Sequence, residues 1–376
     1  MKIVFFATYY YPYISGITTY PKKILDHLAK KNEVTVLTFK HSAHLPDSEF
    51  VDGVEVIRMP YNLRVSKGFI SFQSINYFWK YAQYADRILL NFPNAEGLVL
   101  AVLAKFFKKK LFGIFHCRVF LDKSIFLRLA ALVINTSVWL QMIFTDKIII
   151  YTWDYFLSMK WESFFKNKAV QCLPPVESLK INTTYFRELS KKKENKKWVG
   201  FAGRIAQEKG LEYLIKAVSN LNDKNVELVF AGPSSMEVIG EDRYHSKIIN
   251  LIKNAGIKVH FLGTLNGGKL GAFYRVIDLL ALTSINQTEA FGMVQVESIL
   301  SGTPVVASDL PGVKQPIELL QMGRLVKPRS IDEIVNAIQE ILKNKHRFVA
   351  QDKFRENSKD FDPQKVFKFY EKVLNE

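Results

Sequence analysis

The 376-residue sequence predicts an α/β protein built from two doubly wound parallel sheets in succession. Three observations predict it. Short apolar runs alternate with helical stretches along the chain. Several of these runs are continuous rather than alternating, as expected of parallel strands covered by helices on both faces. The alternation breaks between Leu173 and Lys197, then restarts at Trp198. Repeated strand–helix units imply a doubly wound sheet, and the length suits two domains of ordinary size.

In the first half the expected strands are Lys2–Thr8, Glu33–Phe39, Val54–Met59, Arg87–Asn91, Lys110–His116 and Lys147–Thr152. In the second half they are Trp198–Ala202, Val226–Ala231, Val259–Leu262, Leu279–Leu282 and Pro304–Ala307. The break carries Pro174 and Pro175 and a polar run ending in KKKENKK, which marks a boundary or an excursion beside one. The expected domains are therefore 1–172 and 173–360. No short-period repeat and no long low-complexity segment interrupts them.

In such sheets ligands bind beyond the carboxyl ends of the strands. Gly203 and Arg204, Gly232, Leu262 and Gly263, Thr283 and Ser284 fall there in the second unit. His116 and the loop from Tyr9 to Gly16 fall there in the first. If the two edges face each other, the active site is the cleft between domains.

Two stretches carry the chemistry. EAFGMVQVESILSGTP, Glu289 to Pro304, follows an apolar strand and a polar loop. A helix is expected to start near Phe291–Met293, with its free N–H groups and positive dipole end facing the strand edge, where a diphosphate is a natural ligand. Glu289 precedes that start and Glu297 lies about two turns along, so two carboxylates flank the turn and suit sugar hydroxyls. Taken singly, Glu289 reads equally as a helix cap and Glu297 as a solvated position. The second stretch is FAGRIAQEKG, Phe201 to Gly210. Arg204 leaves the strand edge and Lys209 opens the next helix, and two fixed cations at a strand-to-helix turn suit a diphosphate.

Together these stretches resemble the retaining nucleotide-sugar glycosyltransferases of family four, with the GT-B fold of two facing Rossmann-like domains. The strongest part runs from Trp198 to Val313, and the spacing of Glu289 and Glu297 is that family's signature. The resemblance implies that Arg204 and Lys209 contact the donor diphosphate, that Glu297 binds the donor ribose, and that Glu289 touches the transferred sugar. It puts the backbone of Phe291, Gly292 and Met293 near the sugar and phosphates. YYYPYISGITTY matches the family's N-terminal loop, with Ser15 before Gly16 where two adjacent glycines are common. His116, at the end of FGIFH, takes the family's usual histidine place near the reacting sugar; its other reading is a satisfied structural histidine. The implied reaction is sugar transfer from a nucleoside diphosphate sugar to an acceptor hydroxyl, with retention and with domain closure. A helix from Gln364 to Leu374, within 361–376, is implied to pack back on the first domain.

Other chemistries lack their signatures. No G-x-G-x-x-G follows the first strand, no Walker-type loop ends in Lys-Ser or Lys-Thr, and no Cys/His spacing suggests zinc. No metal is expected, because two cations and a helix N-terminus do the electrostatic work. Cys117 and Cys172 do not make a disulfide framework and suit a reducing compartment.

The net charge is +16, and residues 1–170 hold 22 Lys and Arg against 12 Asp and Glu. Lys105, Lys108, Lys109 and Lys110 sit among Phe106, Phe107, Leu111 and Phe112, a mixture that suits anionic lipid headgroups or phosphorylated substrates as well as an ordinary solvated face. Residues Ile125 to Phe144 are apolar but carry Arg128, Asn135 and Gln141, so a helix buried in the domain or lying at a membrane surface is expected rather than a spanning one. The expected setting is cytoplasmic, peripheral on the cytoplasmic face of a membrane, with a glycan or lipid-linked acceptor and no nucleic acid partner. A nucleotide-sugar epimerase of the same fold and a non-enzymatic basic module binding membranes or nucleic acid remain as alternatives.

Overall fold

The computed structural model describes residues 1–65, 68–120, 125–233, 242–348 and 352–376. The chain divides into two compact units: Met1–Pro175 with Pro363–Glu376, and Val176–Asp362. The boundaries lie a few residues from those expected.

The strands of unit 1 are β1 (Lys2–Phe6), β2 (Glu33–Phe39), β3 (Ser48–Val51), β4 (Val54–Met59), β5 (Leu63–Val65), β6 (Gly68–Ile70), β7 (Arg87–Phe92), β8 (Lys110–Phe115), β9 (Lys147–Ile150) and β10 (Ala169–Gln171). The main sheet runs β10-β9-β8-β7-β1-β2-β4-β3. All its pairings are parallel except β3 with β4, and β5 and β6 form a separate hairpin. Val4, Phe5 and Phe6 are completely buried, which is why this run carries no alternation. The connecting helices are α1 (Gly16–Leu28), α2 (Ser74–Tyr84), α3 (Gly97–Phe106), α4 (Ile125–Phe144) and α5 (Trp153–Ser158).

Unit 2 contains α6 (Thr183–Lys193), then β11 (Lys197–Ala202), α7 (Leu211–Asn220), β12 (Val226–Ala231), α8 (Asp242–Ala255), β13 (Val259–Phe261), α9 (Gly267–Val276), β14 (Leu279–Leu282), α10 (Met293–Leu300), β15 (Val305–Ser308), α11 (Gln315–Leu320), β16 (Gly323–Val326), α12 (Ile331–Lys343) and α13 (Asp352–Asn357). Its sheet is parallel in the order β13-β12-β11-β14-β15-β16. From β11 the chain winds outward through β12 and β13, then returns to the other side of β11 with β14. The reversal leaves a crevice between the carboxyl ends of β11 and β14, the place where such sheets bind nucleotides. In unit 1 the same reversal falls between β1 and β7.

Every strand expected from the sequence is present, and β3, β5, β6, β10 and β16 are additional. The run between Leu173 and Lys197 proves to be more than a break. Asn182 Oδ1 accepts the Tyr185 N–H at 2.9 Å and caps α6, whose last turn holds Lys191, Lys192 and Lys193. Cations at a helix C-terminus oppose its negative dipole end, so the lysines belong to the helix rather than to a linker. Lys193 also donates to the Val276 carbonyl and pairs with Asp278, each at 2.7 Å. The last helix, α14 (Pro363–Asn375), packs within unit 1. Its Tyr370 hydroxyl meets that of Tyr20, and Arg87 Nε donates to the Leu374 carbonyl at 2.8 Å.

Candidate functional site

The loops after β11 and β14 meet at the crevice. The turn after β11 carries Arg204 and Lys209, and it closes at Gly210, which has a φ of 60°. The turn is tied to the far side of the crevice. The Ile285 N–H donates to the Glu208 carbonyl at 2.9 Å, and Thr283 Oγ1 donates to the Lys209 carbonyl at 3.1 Å. The segment after β14 therefore fixes the backbone that presents Lys209. At the ends of β11, β12 and β13 the glycines let the backbones draw close. The Gly203 N–H donates to the Ala231 carbonyl and the Gly232 N–H to the Gly263 carbonyl, each at 2.9 Å. A Cβ at Gly232 would collide with the Gly203 carbonyl oxygen. Leu262 lies beside them, its N–H donating to Phe230 at 2.9 Å.

α10 begins at Met293, within the expected interval, and its N-cap is Gly292 with a φ of 77°. Only glycine adopts that backbone at little cost, and a Cβ there would meet Leu282 and Gln295. Gln295 is completely buried and donates to the Phe291 carbonyl at 2.9 Å and to the Val313 carbonyl at 2.8 Å, which fastens the turn. Gly292 has no side chain with which to cap the helix, and the first N–H groups of a helix have no intrahelical acceptors, so this end suits an anion at the strand edge.

Four charged residues flank this start. Lys209 Nζ is in direct contact with Glu289 Oε2, both side chains being mostly buried. Arg204 pairs with Glu208 at 3.1 Å. Glu297, about one turn into α10, accepts from the Tyr274 hydroxyl at 2.7 Å. Tyr274 is completely buried, and burial together with Glu297 holds its phenol well above the ordinary range, so it stays a neutral donor. The structure thus brings Lys209, Glu289, Gly292, Met293 and Glu297 together around one helix end, with Arg204 on the adjoining turn.

In unit 1, Gly16 is the first residue of α1. The loop before it is held by Arg58, a fully buried arginine that donates to the Tyr11 carbonyl at 3.1 Å and pairs with Glu49. His116 follows β8 but is only 2% exposed. Its hydrogen bonds can be traced back to a proline. Pro21 lies inside α1 and has no N–H, so it leaves the Ile17 carbonyl without its helical partner. Asn91 Nδ2 donates to that carbonyl at 3.0 Å, which turns Asn91 Oδ1 toward His116 Nε2, 2.6 Å away. Nε2 therefore carries the proton, and Nδ1 accepts from the Tyr151 hydroxyl. Burial pushes the imidazole down to about 3. The side chain is a neutral hydrogen-bonding group with both nitrogens engaged inside unit 1. Of the two readings offered for His116, this geometry is that of the satisfied structural histidine.

Sequence reasoning missed Arg58, Asn91, Glu96 and Tyr274. Glu96 accepts from the Phe69 and Ala95 N–H groups, each at 3.0 Å, and burial raises its carboxyl above the usual value. Each of the four has at least one partner 23 or more residues away in the chain, and a single sequence carries no signal for such a meeting.

Each unit is a doubly wound sheet, and unit 2 has its crevice where such sheets bind nucleotides. Residues 182–361 match the family described as glycosyl transferases group 1. Across the whole chain the fold is that of HepE from Anabaena, solved with UDP and glucose: TM-score 0.78, 21% identity, covering 100% of this chain and 99% of that one. Sucrose-phosphate synthase from Thermosynechococcus elongatus gives a TM-score of 0.77 at 16% identity over 99% and 98%. This is the GT-B architecture, with two Rossmann-like domains. Among curated proteins, the chain is 31% identical over 193 residues to an uncharacterized glycosyltransferase of Methanocaldococcus jannaschii, covering 50% of this chain and 42% of that protein. It is 31% identical over 157 residues to the lipopolysaccharide 1,2-N-acetylglucosaminetransferase of Salmonella typhimurium, covering 41% of each. The matched stretch spans less than half the length of these curated relatives.

Proposed function

We propose that this protein transfers a sugar from a nucleoside diphosphate sugar to an acceptor hydroxyl with retention. The contact between Lys209 and Glu289 carries the reading. In such a donor the anomeric carbon is bonded to the β-phosphate oxygen. A site for it needs a phosphate-binding cation and a sugar-binding carboxylate side by side, next to a helix N-terminus. Arg204 extends the positive side of the site, and Glu297, oriented by Tyr274, suits the ribose hydroxyls. Uridine diphosphate sugars are the first donors to test, because HepE was solved with UDP and with UDP-glucose.

In the proposed reaction the bond from the anomeric carbon to the phosphate oxygen breaks and the acceptor oxygen bonds to the same face. The acceptor proton passes to the departing diphosphate. Arg204, Lys209 and the start of α10 stabilise the charge that develops there, and no resident metal is invoked. His116 takes no part in proton transfer; it holds the strand edge of unit 1. The acceptor is proposed to be lipid-linked, as in cell-surface glycan or glycolipid synthesis, at the cytoplasmic face of a membrane.

The test is nucleotide release from UDP, GDP and ADP sugars, with wild type compared with Glu289→Ala and Lys209→Ala. Losing a hydrogen bond to a charged group costs about 1.5–3 kcal/mol, so at least roughly tenfold slower release is expected in both. Near-normal turnover in both folded variants would remove the site assignment. Conversion of the donor into a different sugar nucleotide, without release, would instead identify an epimerase.

A further inference from the structure

The two surfaces that composition marks as membrane-like in unit 1 lie at different edges of its sheet. Lys108, Lys109 and Lys110 sit where α3 ends and β8 begins, at the amino edge. Lys105 there is paired with Asp146 at 2.7 Å, and Asp146 also accepts the Leu111 N–H at 2.8 Å. α4 behaves differently. It has 20 residues, so it is about 30 Å long, whereas the six residues of β8 span about 20 Å. Its C-terminal end is anchored at the amino edge, where Lys168 Nζ donates to the carbonyls of Ile143 and Thr145 at 2.7 and 2.9 Å. Its polar residues are bonded into the unit: Ser137 Oγ donates to Ala95 O at 2.7 Å, Gln141 Nε2 to Asn94 O at 2.9 Å, and Asn135 Nδ2 to Val119 O at 2.9 Å. Val119 already lies beyond the carboxyl end of β8. The first turns of α4 therefore overhang that edge, and none of residues 125–130 is buried.

The overhang is apolar on its outer side. Ile125, Phe126, Leu129, Leu132 and Val133 are each more than half exposed and recur at helical spacing, which puts them on one face. Trp153, Trp161 and Phe164, on α5 and the turn of helix Glu162–Lys168, add exposed aromatics. That turn touches α4 through Phe165 and Trp139, whose rings are 5.7 Å apart. The exposed charges of these segments are Arg128, Lys160 and Lys166, all positive; Glu162 is buried and pairs with Arg118, and Asp154 is half-buried. Exposed aliphatics, tryptophans and cations, without exposed acids among the described residues of these segments, match the interface of a bilayer that contains anionic lipid.

We infer that the overhanging first turns of α4, with the adjoining Trp153–Phe164 face, enter the interface of an anionic bilayer, and that the Lys108–Lys110 edge does not. Docking at the carboxyl edge brings the end of β8 to the lipid surface, where a lipid-linked acceptor is held. The inference takes its purpose from the proposed sugar transfer, but its test does not depend on it.

Sedimentation with vesicles of equal parts phosphatidylglycerol and phosphatidylcholine compares wild type with two triple variants. Phe126→Ser, Leu129→Ser and Val133→Ser change only exposed side chains and should lower vesicle binding at least tenfold. Lys108→Ser, Lys109→Ser and Lys110→Ser should leave it within twofold. Stabilisation by UDP and nucleotide release are measured in parallel without vesicles, and both variants should match wild type. Those solution readings fail together if the transferase reading is wrong, whereas vesicle binding alone reports the docking face. Wild type that ignores the vesicles, or an apolar variant that binds them unchanged, overturns the inference. So does a wild-type dimer in light scattering that the apolar variant dissolves, since the face would then belong to a second copy.

Discussion

Acidification should destabilise unit 1 through His116. The imidazole ordinarily titrates near 6.5, and burial lowers it to about 3 in the folded protein. Between those values the unfolded chain binds a proton that the folded chain refuses. The contribution is therefore complete above pH 6.5 and is lost as the pH falls from 6.5 toward 3. At pH 5 the loss from this one group is about 2 kcal/mol. Urea unfolding followed by tryptophan fluorescence reads it well, because Trp79, Trp139, Trp153 and Trp161 all lie in unit 1 and only Trp198 lies in unit 2. Wild type and His116→Gln are each measured at pH 7.5 and pH 5, and the drop on acidification is compared. His116→Gln removes the titration but loses packing and a hydrogen bond, so its absolute stability is lower at both values. Its drop should nevertheless be smaller than that of wild type by about 2 kcal/mol. Equal drops would show that the imidazole is not held neutral, and the proton assignment running from Pro21 through Asn91 would fall with it.

Two further outcomes follow from the crevice of unit 2. Tyr274→Phe removes one hydrogen bond to a carboxylate, so KM for the donor should rise roughly tenfold while kcat changes little, given about 1.5–3 kcal/mol for such a bond. An unchanged KM would mean that Glu297 is not oriented by Tyr274. Gly292→Ala forces an alanine to a φ of 77° against Leu282. It should lower the stability of unit 2 by at least about 1 kcal/mol and weaken UDP in calorimetry, because the start of α10 must shift; unaltered UDP affinity would separate that helix start from the diphosphate.

Much of this was legible in the sequence where the determinants are local. Continuous apolar runs exposed the parallel strands, and the spacing from Glu289 to Glu297 and from Arg204 to Lys209 placed the charged groups on two turns. What escaped was short or non-local. β16 reads GRLV, and an arginine in four residues hides a strand that takes its identity from its pairing with β15. β10 has three residues and only β9 beside it. The lysine run of α6 read as a boundary or an excursion beside one, because its capping residue, Asn182, is apparent only once the helix is seen. Tyr274 and Asn91 are 23 and 25 residues from their partners Glu297 and His116, and nothing in either local stretch announces the meeting. For His116 the sequence left two readings open, and only the packing of Tyr151 and Asn91 shows that both nitrogens are engaged.

The return of α14 to unit 1 sets a timetable for synthesis. The buried faces of Tyr370, Val366, Val373 and Leu374 belong to the unit whose other residues are made first. All of unit 2 must be translated in between, which at about 5–20 residues per second takes roughly 10–40 s. Throughout that interval the nascent first unit lacks the partner of the Tyr20 hydroxyl and the cover over α1. A ribosome stall within unit 2 would leave a first unit with an apolar seam open to chaperones and proteases, so the final helix acts as the latch that certifies a chain read through to α14.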